Sequence, residues 1–172
     1  MDEMILRYLA AFGPALVKDV QAWSGLTRLA EVLERLRPRL RLFRDEQGRQ
    51  LFDLPGAPRP DPDTPAPVRF LPEYDNLGLG LADRARLVLQ ERPLPVMVRS
   101  GTGWGTVLLD GYFQGMWRIF DENGAATLVI APTERFTKRQ HAALADEGRR
   151  LLGFHAPDAD ADRYDVRIAA LD

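Results

Sequence analysis

Two kinds of polar side chain in this sequence have a spacing suited to chemistry. The first kind is the carboxylate. Four acidic residues lie beside apolar segments: Glu73, Asp75, Asp83 and Asp110. Two neighbouring carboxylates can act as a general acid and a general base, but a reaction also needs a nucleophile or a metal ion. The chain has no cysteine, and its two histidines, His141 and His155, lack the spacing of metal ligands. We therefore predict no catalytic residue, no metal site and no cofactor.

The second kind of side chain is arginine, which is concentrated between residues 28 and 49. This segment contains seven arginines and four carboxylates, a local net charge of +3, although the whole chain carries −2. An arginine-rich surface can bind the phosphates of DNA, whereas the overall charge argues against strong non-specific adhesion to DNA. The residues that we predict to contact DNA are Thr27, Arg28, Arg35, Arg44 and Arg49.

Acidic residues in the same segment support a different interpretation of these arginines. Glu31 and Glu34 would repel phosphates. Glu31 also lies three residues after Arg28 and four before Arg35, which is the spacing of ion pairs within one helix. The segment is therefore either a DNA-contacting surface or a solvated helix face with internal ion pairs.

A tryptophan in a glycine-rich loop is a third candidate for binding. Residues 100–105 read Ser-Gly-Thr-Gly-Trp-Gly and superficially resemble a phosphate-binding loop. Thr106, however, occupies the position of the third glycine, and a predicted strand follows in place of a helix. We interpret the segment as a flexible loop that enters a hairpin. Trp104 is then either a core residue or an exposed ring that can stack on a base.

The elements that position the arginines are three short helices and a β-hairpin. Apolar residues at helical spacing predict the helices, and Thr27 is predicted to cap the third one. Alternating apolar residues around an Asp-Glu-Gln-Gly turn predict the hairpin. This order of elements is typical of a winged helix-turn-helix, whose third helix fits the major groove of duplex DNA. The predicted ranges are 3–12, 17–23 and 27–36 for the helices, 39–43 and 51–52 for the strands.

A proline-rich stretch divides the chain into two parts. Six prolines lie between residues 55 and 67, where they disfavour both helix and central strand. We predict an α+β protein with an N-terminal winged helix-turn-helix over 1–54, a linker over 55–67, and a small β-rich domain with one covering helix over 68–172. In the last part, Asp110-Gly111 and residues 121–124 predict hairpin turns, and Thr137 is predicted to cap the helix. A short helix over 81–89, an extended segment over 96–99 and a final strand over 164–169 complete the prediction.

Several stretches of the sequence resemble the bacterial winged-helix DNA-binding domain family that includes the DNA glycosylases which unhook interstrand crosslinks. They lie in residues 7–14, 22–26, 70–77, 106–111, 115–118 and 147–154. Members of that family are about twice as long, and this chain resembles their C-terminal half. The resemblance implies tandem winged-helix architecture and duplex DNA as the partner. The Gln-x-Gln motif that is catalytic in the glycosylases lies upstream of the half that this chain resembles, and no two glutamines of this chain are spaced i, i+2.

These observations together predict a cytoplasmic DNA-binding protein linked to DNA repair, which is not an enzyme on its own. Two alternatives remain: a fragment of a DNA glycosylase that acts on alkylated or crosslinked DNA, and a protein-interaction module that packs on a partner protein or forms a homodimer. The residues of the functional site must distinguish these three interpretations, because a fold alone does not determine function. The sequence contains no apolar run of about 20 residues, so we predict no membrane contact.

Overall fold

The chain is described by a computed structural model that covers residues 1–88, 103–122, 124–157 and 161–170. It divides into two compact units, one formed by Met1–Thr64 and Asn76–Arg84, the other by Pro65–Asp75 and Ala85–Asp172. Helices and two separate sheets make it an α+β protein, as predicted. None of its described helices is both long and apolar enough to cross a membrane.

Three helices and a two-stranded antiparallel sheet form most of the first unit. The helices are α1 (Asp2–Phe12), α2 (Val17–Ser24) and α3 (Leu29–Leu36), and the strands are β1 (Arg41–Arg44) and β2 (Gln50–Asp53). A 3-10 turn at Arg37–Arg39 ends α3, because Pro38 cannot continue a helix. Apolar side chains repeat at helical spacing and face one core, which includes the fully buried Ile5, Val20 and Leu33.

The β1–β2 hairpin is attached to the helices through the connection between α1 and α2. Ala15 and Phe52 form an antiparallel bridge in which each backbone N–H donates to the other residue's carbonyl at 2.9 Å. Both side chains are buried in the same core. The bridge and the core contacts stabilise the hairpin, since an isolated two-stranded ribbon would be only marginally stable.

Residues 76–84 also belong to the first unit, although the predicted boundaries place them after the linker. They begin with the short helix α4 (Asn76–Leu79). The Tyr8 hydroxyl donates to the Gly80 carbonyl at 2.6 Å in a buried contact, and the fully buried Asp19 carboxylate accepts from Ala82 N at 2.9 Å. Buried polar groups need partners, so this segment satisfies two of them.

The proline-rich residues 55–67 contain no helix or strand and are exposed apart from the half-buried Ala57. Arg59 folds part of this segment back on itself. Its guanidinium donates to the Asp53 carboxylate at 2.8 Å and to the Leu54 carbonyl at 2.8 Å. Asp53 is only 1% exposed, so the arginine supplies the counter-charge that a buried carboxylate requires.

The second unit is a five-stranded sheet with one long helix packed on one face. Its strands follow the order β3 (Arg69–Leu71), β4 (Gly105–Leu109), β5 (Tyr112–Glu122), β6 (Ala125–Pro132) and β7 (Tyr164–Ile168). All neighbours are antiparallel except β6 and β7, which are parallel because helix α5 (Lys138–His155) connects them. The core between sheet and helix includes Leu128, Ile130, Leu144 and Leu152, all fully buried.

In the second unit, the predicted features that depend on only a few adjacent residues are confirmed. Asp110 and Gly111 both have positive φ, 51° and 81°, as the predicted two-residue hairpin turn requires. Thr137 caps α5 together with Gln140, as predicted, and the helix runs to His155. Within 81–88 the structure has a 3-10 turn at Ala85–Leu87 in place of the expected helix. The extended segment predicted over 96–99 lies outside the described residues.

Candidate nucleic-acid interface

Helix α3 begins at a strained arginine. Arg28 is the N-cap residue, with φ 61° and ψ 26°, in the left-handed region that side chains other than glycine rarely adopt. The prediction that Thr27 is the N-cap is wrong, because the helix begins one residue later, and neither residue makes a side-chain cap hydrogen bond. Both are exposed. Among the described residues Arg28 forms no ion pair, so its guanidinium is presented to solvent at the helix N-terminus.

Arg35 lies in the last turn of the same helix and is paired across helices. Its Nη2 lies 2.6 Å from Oδ1 of Asp2 in α1, with both side chains more than two-fifths exposed. The ion pairs with Glu31 that the sequence suggests for Arg28 and Arg35 are therefore not the ones found in the described part of the chain. An exposed pair such as this contributes about 0.2–1 kcal/mol, so phosphate could compete for Arg35.

Glu34, the second acidic residue of α3, is compensated by a neighbour. Arg37 donates to its two carboxylate oxygens at 2.6 and 2.8 Å. These hydrogen bonds hold the pKa of Glu34 below its usual value, against a smaller opposing effect of desolvation, and they raise the pKa of Arg37. The carboxylate is thus ionised and paired, which reduces the repulsion of phosphates expected from sequence.

The turn between β1 and β2 is built around Asp45. Its Oδ1 accepts from the backbone N–H groups of Gln47 and Arg49 at 3.0 and 2.8 Å, the pattern of an Asx-type turn. Gly48 has φ 76° and fits the turn for that reason. Arg44 donates through Nη1 to the Gly48 carbonyl at 2.8 Å and is otherwise exposed, with no carboxylate partner among the described residues.

Arg49, at the same turn, is held by two carboxylates. Its Nε lies 2.5 Å from Asp45 and its Nη2 lies 2.7 Å from Asp83. The hydrogen bonds that Arg49 donates to Asp83 and, next in effect, to Asp45 raise the pKa of Arg49. Partial burial favours a higher pKa for Asp45, but the hydrogen bonds from Arg49 and the backbone outweigh it and lower that pKa. Arg49 therefore differs from Arg44 in being fully compensated.

The predicted contact residues occupy three places in the first unit. Arg28 and Arg35 are at opposite ends of α3, about 10 Å apart along an axis that rises about 1.5 Å per residue. Thr27 precedes the helix, while Arg44 and Arg49 flank the hairpin turn. The structure adds two exposed arginines that the sequence argument did not select, Arg39 before β1 and Arg41 within it. The sequence could have indicated both, since Arg39 and Arg41 belong to the positively charged segment between residues 28 and 49.

The four acidic residues considered as candidates for acid–base chemistry lie in different local environments. Asp83 binds Arg49, and Glu73 accepts from the Gly103 backbone N–H at 3.1 Å. Asp110 forms a hairpin turn, and the backbone N–H of Asp75 donates to the Pro72 carbonyl at 3.3 Å. Within the described ranges no group of three or more acidic or histidine side chains could hold a metal ion.

Comparison with known proteins gives a consistent result. A family model described as DNA glycosylase AlkZ-like matches residues 1–154. Among solved structures the chain is similar to the Streptomyces sahachiroi DNA glycosylase AlkZ, with 25% sequence identity and a TM-score of 0.71. The match covers 98% of this chain but only 45% of that glycosylase. No curated protein matches the sequence.

Proposed function

The chain belongs to the AlkZ-like DNA glycosylase family, and from this premise we propose that it supplies a duplex-DNA-binding surface to a DNA-repair glycosylase. This interpretation places the earlier alternative, a glycosylase fragment, ahead of an independent DNA-binding protein. The observation that carries it is the exposed Arg28, which has no ion pair within the described residues and stands at the N-terminus of α3.

We further propose that the first unit works as a winged helix, with α3 as the recognition helix and the β1–β2 hairpin as the wing. The bridge between Ala15 and Phe52 supports this assignment, because it fixes the hairpin beside the helices. In winged-helix complexes the N-terminal residues of the recognition helix meet base edges, and the wing follows the phosphate backbone. Arg28 would then meet the groove, and Arg44 a phosphate.

The remaining predicted contacts take lesser roles in this proposal. Arg35 and Arg49 must exchange a carboxylate for a phosphate before they can contribute, and Thr27 offers one hydroxyl beside Arg28. Arg39 and Arg41 join the phosphate-contacting set, because both are exposed. The guanidinium of Arg41 rests over the Phe43 ring at 5.0 Å, an interaction that leaves its charge available.

A salt titration of duplex binding tests the proposal. We would measure the anisotropy of a labelled duplex of about 20 base pairs with the wild-type chain and with Arg28→Ala/Arg44→Ala. The double variant should reduce the slope of log K against log salt by up to about two units, because each neutralised phosphate contributes about 0.9 to that slope. Arg149→Ala removes an exposed arginine, paired with Asp146, from α5 and serves as the control. Equal effects of the two variants would refute the assignment and favour the protein-interaction module.

A further inference from the structure

Arg41, in the first strand of the hairpin, lies opposite a buried carboxylate that it does not bind. The β1–β2 register pairs Arg41 directly with Asp53, and directly opposed residues project from the same face of a hairpin. Opposite charges in such positions attract each other and stabilise the strand pair. Arg41 is nevertheless exposed and has no ion pair within the described ranges, while Asp53 is almost completely buried. A third residue must satisfy this carboxylate, because a buried charge needs a partner.

Arg59, from the proline-rich segment, is that third residue. Its Nη2 donates to Oδ2 of Asp53 and to the Leu54 carbonyl, each at 2.8 Å. Its Nη1 donates to the Ala57 carbonyl at 2.9 Å and to the Pro55 carbonyl at 3.3 Å. The four hydrogen bonds close a short loop of backbone around the guanidinium and fix it beside the carboxylate.

The Phe43 ring gives Arg41 a different contact. Phe43 follows Arg41 by two residues in β1, so both side chains lie on the same face of the strand. The Cζ of Arg41 lies 5.0 Å from the ring centroid, and the Cζ of Arg59 lies 5.1 Å from it. A guanidinium over a ring interacts through its face, and its N–H donors lie in its own plane, where a phosphate can reach them. Arg41 is thus held in place while its charge is not neutralised.

The charged side chains around Phe43 carry one net positive charge. Two arginines are beside one carboxylate, and Arg59 holds that carboxylate, so the excess charge belongs to Arg41. Without Arg59, the buried Asp53 would have Arg41 as the cation opposite it in the strand pair. An unpaired buried carboxylate costs far more than the loss of an exposed contact between a cation and a ring. Arg41 would then turn from Phe43 to Asp53.

We propose that Arg59 is a positioning residue, which keeps Arg41 available to a DNA phosphate by occupying Asp53. DNA as the ligand rests on the proposed function, and the inference adds a role for the proline-rich segment. A residue outside the predicted winged helix then determines how many arginines of the hairpin can bind phosphate. The exchange of partners at Asp53 is a property of the folded chain, so it can also be measured without DNA.

A salt titration with a labelled duplex of about 20 base pairs tests the effect on DNA binding. Arg59→Ala should reduce the slope of log K against log salt by about 0.9, because Arg41 then binds Asp53 and one phosphate contact is lost. Asp53→Asn/Arg59→Ala should restore the wild-type slope, since no carboxylate remains there to bind Arg41. If Arg59 itself contacted a phosphate, the added Asp53→Asn could not restore the slope. The control is Arg150→Ala, which removes an arginine paired with Glu147 in α5 and should leave the slope unchanged.

Urea unfolding of the full chain measures the exchange of partners in the absence of DNA. In the wild type, Arg41→Ala should shift the urea midpoint by less than about 0.5 M, because the side chain is exposed and has no ion pair in the part of the chain that the structure describes. In the Arg59→Ala background the same substitution should lower the midpoint by about 1 M or more, since it removes the remaining counter-charge of a buried carboxylate. With Asp53→Asn also present, the effect of Arg41→Ala should again be small.

Three results would overturn the positioning role of Arg59. The first is a slope that Asp53→Asn fails to restore, and the second is an effect of Arg41→Ala on stability that is the same with and without Arg59. The third is loss of folding in Arg59→Ala, because Arg41 would then be unable to replace Arg59 at Asp53. If the wild type bound no duplex while the stabilities followed the expected pattern, the proposed function would fail and the exchange of partners would be supported.

Discussion

Neutralising Asp83 should strengthen duplex binding, because this carboxylate restrains the arginine at the hairpin turn. Asp83 lies in the segment that returns to the first unit, and it binds Arg49 at 2.7 Å, while Asp45 binds the same guanidinium through Nε. Asp83→Asn keeps the size of the side chain and one acceptor oxygen but removes the charge. Arg49 then has one carboxylate partner, and its Nη2 can bind a phosphate in place of Asp83.

The expected magnitude follows from one additional phosphate contact. One such contact steepens the dependence of log K on log salt by about 0.9 and, at about 0.1 M salt, tightens binding about eightfold. The effect should shrink as salt rises, because it arises from counterion release. Backbone geometry should change little, since the Ala82 N–H still donates to the Asp19 carboxylate at 2.9 Å.

Two comparisons make this prediction refutable. Asp165→Asn removes one negative charge from an exposed ion pair in the second unit and controls for the change in net charge. Asp83→Asn/Arg49→Ala should show none of the tightening. Duplex anisotropy at three salt concentrations measures all of them. If Asp83→Asn and Asp165→Asn behaved alike, or if the tightening survived removal of Arg49, Arg49 would not be a restrained DNA contact.

Three further predictions concern stability and activity. The pKa values of Glu34 and Asp45 are lowered in the folded protein, so both carboxylates stabilise it at pH values above their unfolded pKa values. This stabilisation should fade as pH drops below about 4. In urea titrations, Arg37→Ala should make the decline of stability with acid shallower, because Glu34 then loses the hydrogen bonds that lower its pKa. Gly148→Ala should be less stable than Gly153→Ala by about 1–3 kcal/mol in urea unfolding, because its Cβ would meet Leu128 at 2.8 Å, whereas the other meets Tyr164 at 3.8 Å; similar stabilities would refute the packing argument. The isolated chain should release no alkylated base above a heat-inactivated control, since it lacks a Gln-x-Gln motif.

The elements that the sequence predicts well are those encoded within a few residues. The Asp110-Gly111 turn and the cap formed by Thr137 are read from adjacent positions, and both are found. The start of α3 was misplaced because Arg28 adopts a left-handed conformation that intrinsic preference disfavours. The parallel pairing of β6 with β7 depends on where α5 returns the chain, and no periodicity within either strand specifies it.

Contacts at the candidate interface were less predictable than its elements. All five predicted residues are exposed: Arg35 lies in α3, Arg28 is its N-cap residue, Thr27 precedes it, and Arg44 and Arg49 flank the hairpin turn. Two of their ion-pair partners are distant in sequence, however. Arg35 pairs with a residue 33 positions away, and Arg49 with one 34 positions away. A long, flexible arginine can reach any nearby carboxylate, so only the tertiary structure reveals which charges remain available.

The number of arginines without a carboxylate partner sets the expected salt dependence of DNA binding. Of the seven arginines between residues 28 and 49, three form ion pairs: Arg35, Arg37 and Arg49. The other four have no carboxylate partner within the described ranges: Arg28, Arg39, Arg41 and Arg44. If each neutralises one phosphate, the salt slope should be about −3.6, and release of Arg49 by Asp83→Asn should bring it to about −4.5. The charge count alone would predict a steeper slope, of about −6, so a measured wild-type slope near −6 would mean that phosphate displaces the carboxylates without help.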